Sequence, residues 1–339
     1  MIPCLVWVGW AAFGLGLSAA DWPQFLGPAR NGSTSETVAT PWPEDGPRRR
    51  WRIEAGAGFA GPVIAGDRAI LFSREGSDDV VSAVQVRTGK RLWTQRQPTT
   101  FMDEMGMGDG PRSTPCIADG RVFLWGADGH LWARDLKDGK LVWDVDARDR
   151  FRADPGFFGF ACSPLVIGNQ VLLNVGGRDG AGLAAWDTAS GKLLWKLTDQ
   201  EAGYASPVPA TEASPGLALF FNREGLVGVG MPSGTEQFRF PWRSRMNASV
   251  NAASPVVAGD EIFLTASYGT GAVLLRRKGA ALETVWSGDQ SLSAHFATPV
   301  LHGGHLYGFH GRQEFGRNCA VWNGPLKGEV ASDDARPDR

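Results

Sequence analysis

Residues 133–143, ARDLKDGKLVW, contain the pattern that decides the fold of this chain. Small and apolar residues alternate with polar ones, a turn with a glycine follows, and a second short run ends on Trp143. Such alternation is typical of strands with one buried face, and the glycine turn joins them as a hairpin. The same pattern recurs at residues 83–93 (AVQVRTGKRLW) and 185–195 (AWDTASGKLLW), so the hairpin belongs to a repeated unit.

A second repeated feature precedes each hairpin: a small residue and a proline lead into an apolar strand. The six copies are Gly61-Pro62, Thr114-Pro115, Ser163-Pro164, Ser206-Pro207, Ser254-Pro255 and Thr298-Pro299. Successive prolines are 53, 49, 43, 48 and 44 residues apart. A period of about 40–50 residues with four short strands is the signature of a propeller blade. The sequence therefore predicts an all-β fold, a β-propeller with six recognisable four-stranded blades.

The end of each unit carries a turn glycine followed by an aromatic residue, a motif that we expect to dock one blade on another. The motif positions are Gly89, Trp93, Gly139, Trp143, Gly191, Trp195, Gly234, Phe238 and Trp286. Phe238 stands where tryptophan is expected, and the pattern is lost after residue 320. We predict a propeller over residues 51–325, an N-terminal extension over 21–50, and a polar, disordered tail over 326–339. The ring is expected to be incomplete at its C-terminal end.

Composition agrees with this fold and excludes one class of partner. The chain has 45 glycines and 14 tryptophans among 339 residues, as expected for many turns and many large interior niches. Its net charge is −2 and its basic residues are scattered, so no nucleic-acid-binding surface is predicted.

Residues 1–20, MIPCLVWVGWAAFGLGLSAA, carry no charged side chain and end in small residues. This pattern predicts a signal peptide cleaved before Asp21, and hence a periplasmic or secreted protein with no transmembrane span after cleavage. An uncleaved membrane anchor is the alternative. Removing the segment leaves Cys116, Cys162 and Cys319, an odd number that favours buried free thiols, although a Cys116–Cys162 pair is left open.

Three short motifs suggest other chemistry, and each has a simpler structural interpretation. Residues 56–61, GAGFAG, match a dinucleotide-binding string, but Pro62 and a strand follow instead of a helix. His302 and His305 flank an inter-strand turn with His310 nearby, but no carboxylate or thiolate is spaced to complete a zinc site. Residues 144–146 begin like a calcium loop that lacks its required glycine. No catalytic, cofactor-binding or metal-binding residue is therefore predicted.

The Gly-Lys-x-x-Trp motif resembles the repeat of pyrroloquinoline quinone (PQQ) propellers, whose tryptophans stack between adjacent blades. Residues 21–32, DWPQFLGPARNG, resemble the opening of secreted, BamB-like bacterial propellers. The resemblance implies a seven- or eight-bladed ring outside the cytoplasm. Quinone-dependent members also have adjacent cysteines, and this chain has no Cys-Cys pair.

The predicted function is a non-catalytic binding or scaffold module without a cofactor, acting on a protein or polymer partner in the cell envelope. The alternatives are a dehydrogenase that uses PQQ and Ca²⁺, and a ligand-sensing propeller of a signalling system. The sequence names neither the partner nor the true number of blades.

The linkers at residues 99–113 and 150–162 are the predicted partner-binding loops, because they are rich in Met, Phe and Gly. Phe101, Met105, Phe157 and Phe158 are the candidate contact residues. The alternative is that these side chains pack down between the blades.

Overall fold

The computed structural model describes residues 20–37, 40–210, 216–246, 250–311 and 320–326, with side chains placed for all of them except 320–325. All of the predicted signal peptide except Ala20, all of the predicted polar tail except Leu326, and Cys319 lie outside the described residues. The strands run from residue 63 to residue 325.

The strands form six consecutive antiparallel sheets, which we number as blades 1–6. Blade 1 contains β1 (Val63–Ala65), β2 (Arg68–Glu75), β3 (Asp78–Gln85) and β4 (Arg91–Pro98). Blade 2 contains β5 (Cys116–Ala118), β6 (Arg121–Trp125), β7 (His130–Asp135) and β8 (Leu141–Asp146). Blade 3 contains β9 (Leu165–Ile167), β10 (Gln170–Asn174), β11 (Leu183–Asp187) and β12 (Leu193–Leu197).

The second half of the chain repeats the arrangement. Blade 4 contains β13 (Val208–Pro209), β14 (Leu217–Asn222), β15 (Gly225–Gly230) and β16 (Thr235–Pro241). Blade 5 contains β17 (Val256–Ala258), β18 (Glu261–Ala266), β19 (Gly271–Lys278) and β20 (Ala281–Gly288). Blade 6 contains β21 (Val300–His302), β22 (His305–His310) and β23 (Ala320–Pro325), the three strands found for it within the described residues.

Each blade pairs its strands in chain order, with a short innermost strand and longer outer strands. In blades 1–5 the register between the third and fourth strands shifts at the aromatic motif residue, which lies opposite Ala83, Ala133, Ala185, Gly228 and Leu274 in turn. Phe238 therefore occupies the same structural position as the tryptophans. The predicted all-β propeller of four-stranded blades is confirmed.

The described part of the chain contains one short helix, α1 (Ala147–Phe151), in the linker after blade 2. The Asp146 carboxylate accepts a hydrogen bond from the backbone N–H of Asp149 at 2.8 Å and caps this helix. Asp146, one of the two acidic residues that resembled a calcium loop, therefore acts as a helix cap. No helix among the described residues is long and apolar enough to cross a membrane.

The core consists of five apolar clusters, each formed between two successive blades. Its largest fully buried side chains are aromatic, with Trp125, Trp186, Phe123, Phe220 and Phe263 all below 2% exposure. Cys116 and Cys162 are buried and free, so the alternative in which they form a disulfide is wrong. Burial raises the pKa of the Cys116 thiol to about 11, which keeps it protonated at neutral pH.

A belt of hydrogen bonds joins the starts of the innermost strands. At each step a backbone N–H of one blade donates to the hydroxyl of the equivalent residue in the next blade. The donor and acceptor pairs are Gly61 and Thr114 (3.0 Å), Thr114 and Ser163 (2.9 Å), Ser163 and Ser206 (2.8 Å), Ser206 and Ser254 (3.1 Å), and Ser254 and Thr298 (3.0 Å). These bonds explain why a small hydroxyl residue precedes the proline in five of the six units.

Candidate functional site

Four tryptophans lie directly on the turn glycine of the following blade. A Cβ atom on the glycine would lie only 2.3–2.8 Å from the nearest indole carbon, so no larger residue fits. The pairs are Trp51 on Gly89, Trp93 on Gly139, Trp143 on Gly191, and Trp195 on Gly234. In the first three, the indole N–H donates to the carbonyl three residues before that glycine: Val86 (2.8 Å), Leu136 (3.1 Å) and Thr188 (3.0 Å).

The remaining motif positions depart from this geometry. The indole N–H of Trp195 donates to Gln170 Oε1 at 2.8 Å, and Gln170 Nε2 donates to the carbonyl of Pro232 at 2.9 Å. The ring of Phe238 packs on Gly228 of its own blade, and the turn glycine of the next blade, Gly279, has nothing near its Cβ position. Trp286 donates to the Leu326 carbonyl at 3.0 Å.

The N-terminal extension lies against the innermost strands of the ring. Trp22 pairs with Ile64 of β1 through two backbone hydrogen bonds of 2.9 and 2.8 Å. The Pro23 carbonyl accepts a bond from the N–H of Ile117 on β5 at 2.7 Å. The extension thereby satisfies strand edges that would otherwise be unpaired.

Arg30 is the charged residue of the extension that is buried, at 2% exposure. Its guanidinium donates to the carbonyls of Pro164 (2.7 Å) and Ser163 (3.0 Å), and to Gln24 Oε1 (3.1 Å). Burial lowers the pKa of Arg30 to about 10, so the side chain stays charged at neutral pH. Arg30 therefore binds the extension to the start of blade 3.

A cavity of about 100 Å³ is left beside Arg30, between the extension and blades 4–6. Its lining residues are Ala29, Arg30, Asn31, Val208, Pro209, Pro255, Val256, Val257, Thr298 and Pro299. Pockets for small organic ligands measure about 300–1,000 Å³. The lining contains no carboxylate for Ca²⁺ and no tryptophan for a quinone to stack on, so this space does not fit PQQ with its metal ion.

In contrast to the small cavity beside Arg30, the linkers between blades form an open, partly apolar surface. Four antiparallel strands return the chain to the face from which it started, so every linker between blades lies on the same face. We call this the linker face, formed by residues 99–115, 147–164, 198–207, 242–246, 250–255 and 289–299, together with residues 52–62 that lead into blade 1. Exposed large apolar side chains on it are Phe59, Met102, Met105, Met107, Phe157, Met246 and Phe296.

The four predicted contact residues divide into two groups. Met105 and Phe157 are exposed, at 58% and 40%. Phe101 is half-buried and lies against the Arg112 guanidinium, 4.7 Å from its ring centre. Phe158 is also half-buried and packs on Tyr204, with ring centres 5.8 Å apart, so for these two the packing alternative describes the structure.

A groove of about 330 Å³ lies beside Phe157 on the linker face. It is lined by Asp154, Gly156, Phe157, Glu201, Ala202 and Arg223. The Arg223 guanidinium lies 5.5 Å from the Phe157 ring centre, and its Nε is 3.0 Å from Glu201 Oε2. An aromatic ring beside a fixed arginine and carboxylates offers apolar and polar contacts together, as binding hot spots do.

Sequence reasoning did not find Arg30, Arg112 or Arg223. Arg30 and Arg223 bind residues distant in the chain, and Arg112 contacts Phe101 of its own linker and Phe59 from the segment before blade 1. A sequence signal for Trp22 was available, since a tryptophan close to the apolar residues Phe25 and Leu26 suggests a buried anchor.

The sequence model of the family described as outer membrane protein assembly factor BamB matches residues 35–153 and 77–317. The chain belongs to this family. The predicted resemblance to PQQ-like, BamB-like propellers is therefore confirmed.

Relatives of two kinds share this repeat. BamB of Yersinia pestis is 26% identical over 217 residues, which cover 63% of this chain and 49% of that protein, so the chain spans about half the length of that relative. The quinohemoprotein alcohol dehydrogenase ADH-IIG of Pseudomonas putida is 25% identical over 152 residues, covering 43% of this chain and 20% of that protein. The crystal structure of BamB from Moraxella catarrhalis shares the fold, with a TM-score of 0.52 at 19% identity over 74% of this chain and 69% of that one.

Proposed function

We propose that this chain is a non-catalytic, exported propeller that binds a protein partner of the cell envelope on its linker face. The observation that carries the proposal is the concentration of exposed Met and Phe side chains on the linkers, one of which, Phe157, lines a groove. Exposed apolar side chains on loops held by a rigid scaffold are typical of binding surfaces. Membership of the BamB family supports the same reading.

The groove beside Phe157 suits a segment of a partner that carries an apolar side chain next to a charged one. Phe157 provides the apolar wall, Arg223 can pair with a carboxylate, and Asp154 and Glu201 can pair with a basic group. The shallow shape and mixed charge fit a peptide segment better than a small organic ligand.

A site-specific crosslink tests this proposal. A photoreactive amino acid at Phe157 should crosslink one partner in intact cells, because the side chain points into the groove region. The same amino acid at Leu194 is the matched control, since Leu194 is also 40% exposed but lies on the fourth strand of blade 3. Equal crosslinking from both positions, or none from Phe157, would contradict the proposal.

Substitution separates binding from packing. Phe157→Ser should weaken capture of the crosslinked partner about tenfold or more and change stability by less than about 1 kcal/mol, because an exposed side chain contributes little to folding. Phe158→Ser should instead lower stability by about 2–4 kcal/mol, because its ring packs on Tyr204.

Export is part of the proposal and has its own test. N-terminal sequencing of the protein recovered from the cell envelope should begin at Asp21. Recovery of a chain that begins at Met1 would support the uncleaved membrane anchor instead.

The second candidate function is a PQQ-dependent dehydrogenase, which the identity to ADH-IIG favours. Incubation of the purified chain with PQQ and Ca²⁺, followed by dye reduction with a panel of primary alcohols, tests it. Turnover that depends on both additions would replace the binding function.

A further inference from the structure

The linker between blades 1 and 2 presents three methionine side chains within six residues, Met102, Met105 and Met107. They are 75%, 58% and 60% exposed. The chain contains only six methionines, so half of them stand in this short segment. We call residues 102–109 the methionine loop.

The methionine loop is organised from within by a buried carboxylate. The Asp103 side chain has no exposed surface and accepts backbone N–H bonds from Met107 and, at 3.0 Å, from Gly108. The N–H of Asp103 donates to Asp109 Oδ1 at 2.7 Å. Gly106 and Gly108 adopt positive φ angles of 73° and 107°, which lets the chain wrap around that carboxylate.

The loop is also anchored to the propeller by Arg112. Its guanidinium lies 3.5 Å from Asp103 Oδ1, and its centre is 5.2 Å and 4.7 Å from the ring centres of Phe59 and Phe101. Arg112 is only 8% exposed. The thioethers are thus displayed on a loop whose shape is set before any ligand arrives, which lowers the entropy cost of binding.

The side-chain atoms that the methionine loop offers to a metal ion determine which metal ions it can bind. Thioether sulfur is a soft, polarisable donor that prefers Cu(I), whereas Ca²⁺, Mg²⁺ and Zn²⁺ require oxygen, nitrogen or thiolate ligands. Residues 99–113 contain no His or Cys, and the Asp103 carboxylate is already occupied by backbone N–H groups. Asp103, Glu104 and Asp109 outnumber Arg112, so the loop carries net negative charge that attracts a cation.

We propose that Met102, Met105 and Met107 form a binding site for a soft monovalent metal ion, Cu(I), through their three thioether sulfurs. The site is separate from the Phe157 groove and does not depend on the partner proposed there. An apolar docking surface alone would be served equally well by leucine or phenylalanine, as Phe157 and Phe296 show on neighbouring linkers. Leucine substitution therefore distinguishes the two roles, since it keeps the apolar surface and removes the sulfur.

The experiment uses the full chain, labelled with ¹³C at the methionine methyl groups and titrated with Ag(I), a redox-stable substitute for Cu(I). Addition of one equivalent should shift the methyl signals of Met102, Met105 and Met107 and leave those of Met231 and Met246 in place. Cu(I), delivered without oxygen in competition with a coloured chelator, should bind with the same one-to-one stoichiometry. Zn²⁺ should cause no shift.

The variant M102L/M105L/M107L should lose at least tenfold in Ag(I) and Cu(I) affinity while keeping the thermal midpoint of the wild type. The variant M246L is the matched control, because Met246 is 52% exposed on another linker, and it should bind both ions unchanged. The proposal fails if the wild type binds neither ion, if the triple variant binds as well as M246L, or if the shifts spread equally to Met246.

Discussion

The interface between blades 2 and 3 and the interface between blades 4 and 5 pack the aromatic motif residue of one blade in different ways. At the first, Trp143 lies on the glycine of the next turn, Gly191, and donates its indole N–H to Thr188. At the second, Phe238 occupies the same register position, but its ring lies on Gly228 of its own blade, and Gly279 of the next turn is uncovered.

The difference separates two contributions to blade packing. At blades 4 and 5 the motif residue contributes apolar burial without a side-chain hydrogen bond, in a cluster that includes Phe238, Ile262 and Leu275. Tryptophan adds a directional hydrogen bond and a close contact with backbone. We infer that these additions fix how one blade is rotated against the next, since apolar burial is not directional.

The largest contrast should come from alanine at the two turn glycines. Gly139→Ala should lower the free energy of unfolding by about 2–4 kcal/mol, because φ is +74° and the new Cβ would meet the Trp93 ring at 2.6 Å. Gly279→Ala has φ +65° but open space, so about 1 kcal/mol is expected. Urea midpoints measure both, and equal losses would show that tryptophan contact adds nothing at the docked turn.

A buried carboxyl group makes the interface of blades 1 and 2 sensitive to pH. Burial, and secondarily Asp128, raise the pKa of Asp79 from 3.8 to about 7. Between about pH 4 and pH 7 the folded chain therefore holds a proton on Asp79 that the unfolded chain has released. The free energy of unfolding is highest with respect to this group below about pH 4, and it falls as the pH rises through about 7.

Asp79→Asn should accordingly raise the free energy of unfolding at pH 8 by about 1–3 kcal/mol and have little effect near pH 4. Urea unfolding across this pH range measures the effect. A variant that is equally destabilised at both pH values would show that the Asp79 carboxylate makes contacts that outweigh its burial.

Exchanging the two aromatic residues tests whether the tryptophan contact can be transferred. Trp143→Phe should cost about 1–3 kcal/mol, because the Thr188 carbonyl loses its donor and the smaller ring leaves space. Phe238→Trp should also destabilise, because a Cβ on Gly228 would already lie 2.3 Å from the Phe238 ring and there is little room to expand. If Phe238→Trp instead increased stability, a larger ring at position 238 would be sufficient for blade 4 to dock on blade 5.

The smallest effect is expected where the two interfaces are alike. Ser163→Ala and Ser254→Ala each remove a hydroxyl that accepts a buried N–H, from Thr114 and Ser206 respectively. Both should cost about 1 kcal/mol, the usual loss for one buried hydrogen bond. A much larger loss from either, measured by urea unfolding, would show that the belt is cooperative around the ring.

Much of the fold could be predicted because its signals are local and repeated. Proline spacing gave the blade period, and the turn glycines gave the third hairpin of each unit. Position-by-position comparison also placed Phe238 in the tryptophan register, which the strand pairing bears out. It could not predict that the turn glycine of the following blade, Gly279, is left uncovered, since that depends on how the two blades lie against each other.

The candidate site was less predictable. The linkers at 99–113 and 150–162 stood out by composition, yet Met105 and Phe157 are exposed while Phe101 and Phe158 are half-buried. Composition does not distinguish these cases, because packing depends on how each linker folds. Phe101 lies against Arg112 of its own linker, and Phe158 lies on Tyr204 of the next linker.

The sequence by itself determined the blade, since strand alternation, turn glycines and hydroxyl-proline starts act over fewer than about 50 residues. Tertiary structure alone decided what the extension does. Trp22 and Arg30 reach β1 and the start of blade 3, and Arg30 contacts carbonyls more than a hundred residues away. Such contacts leave no periodic trace, because they satisfy backbone groups that every residue carries.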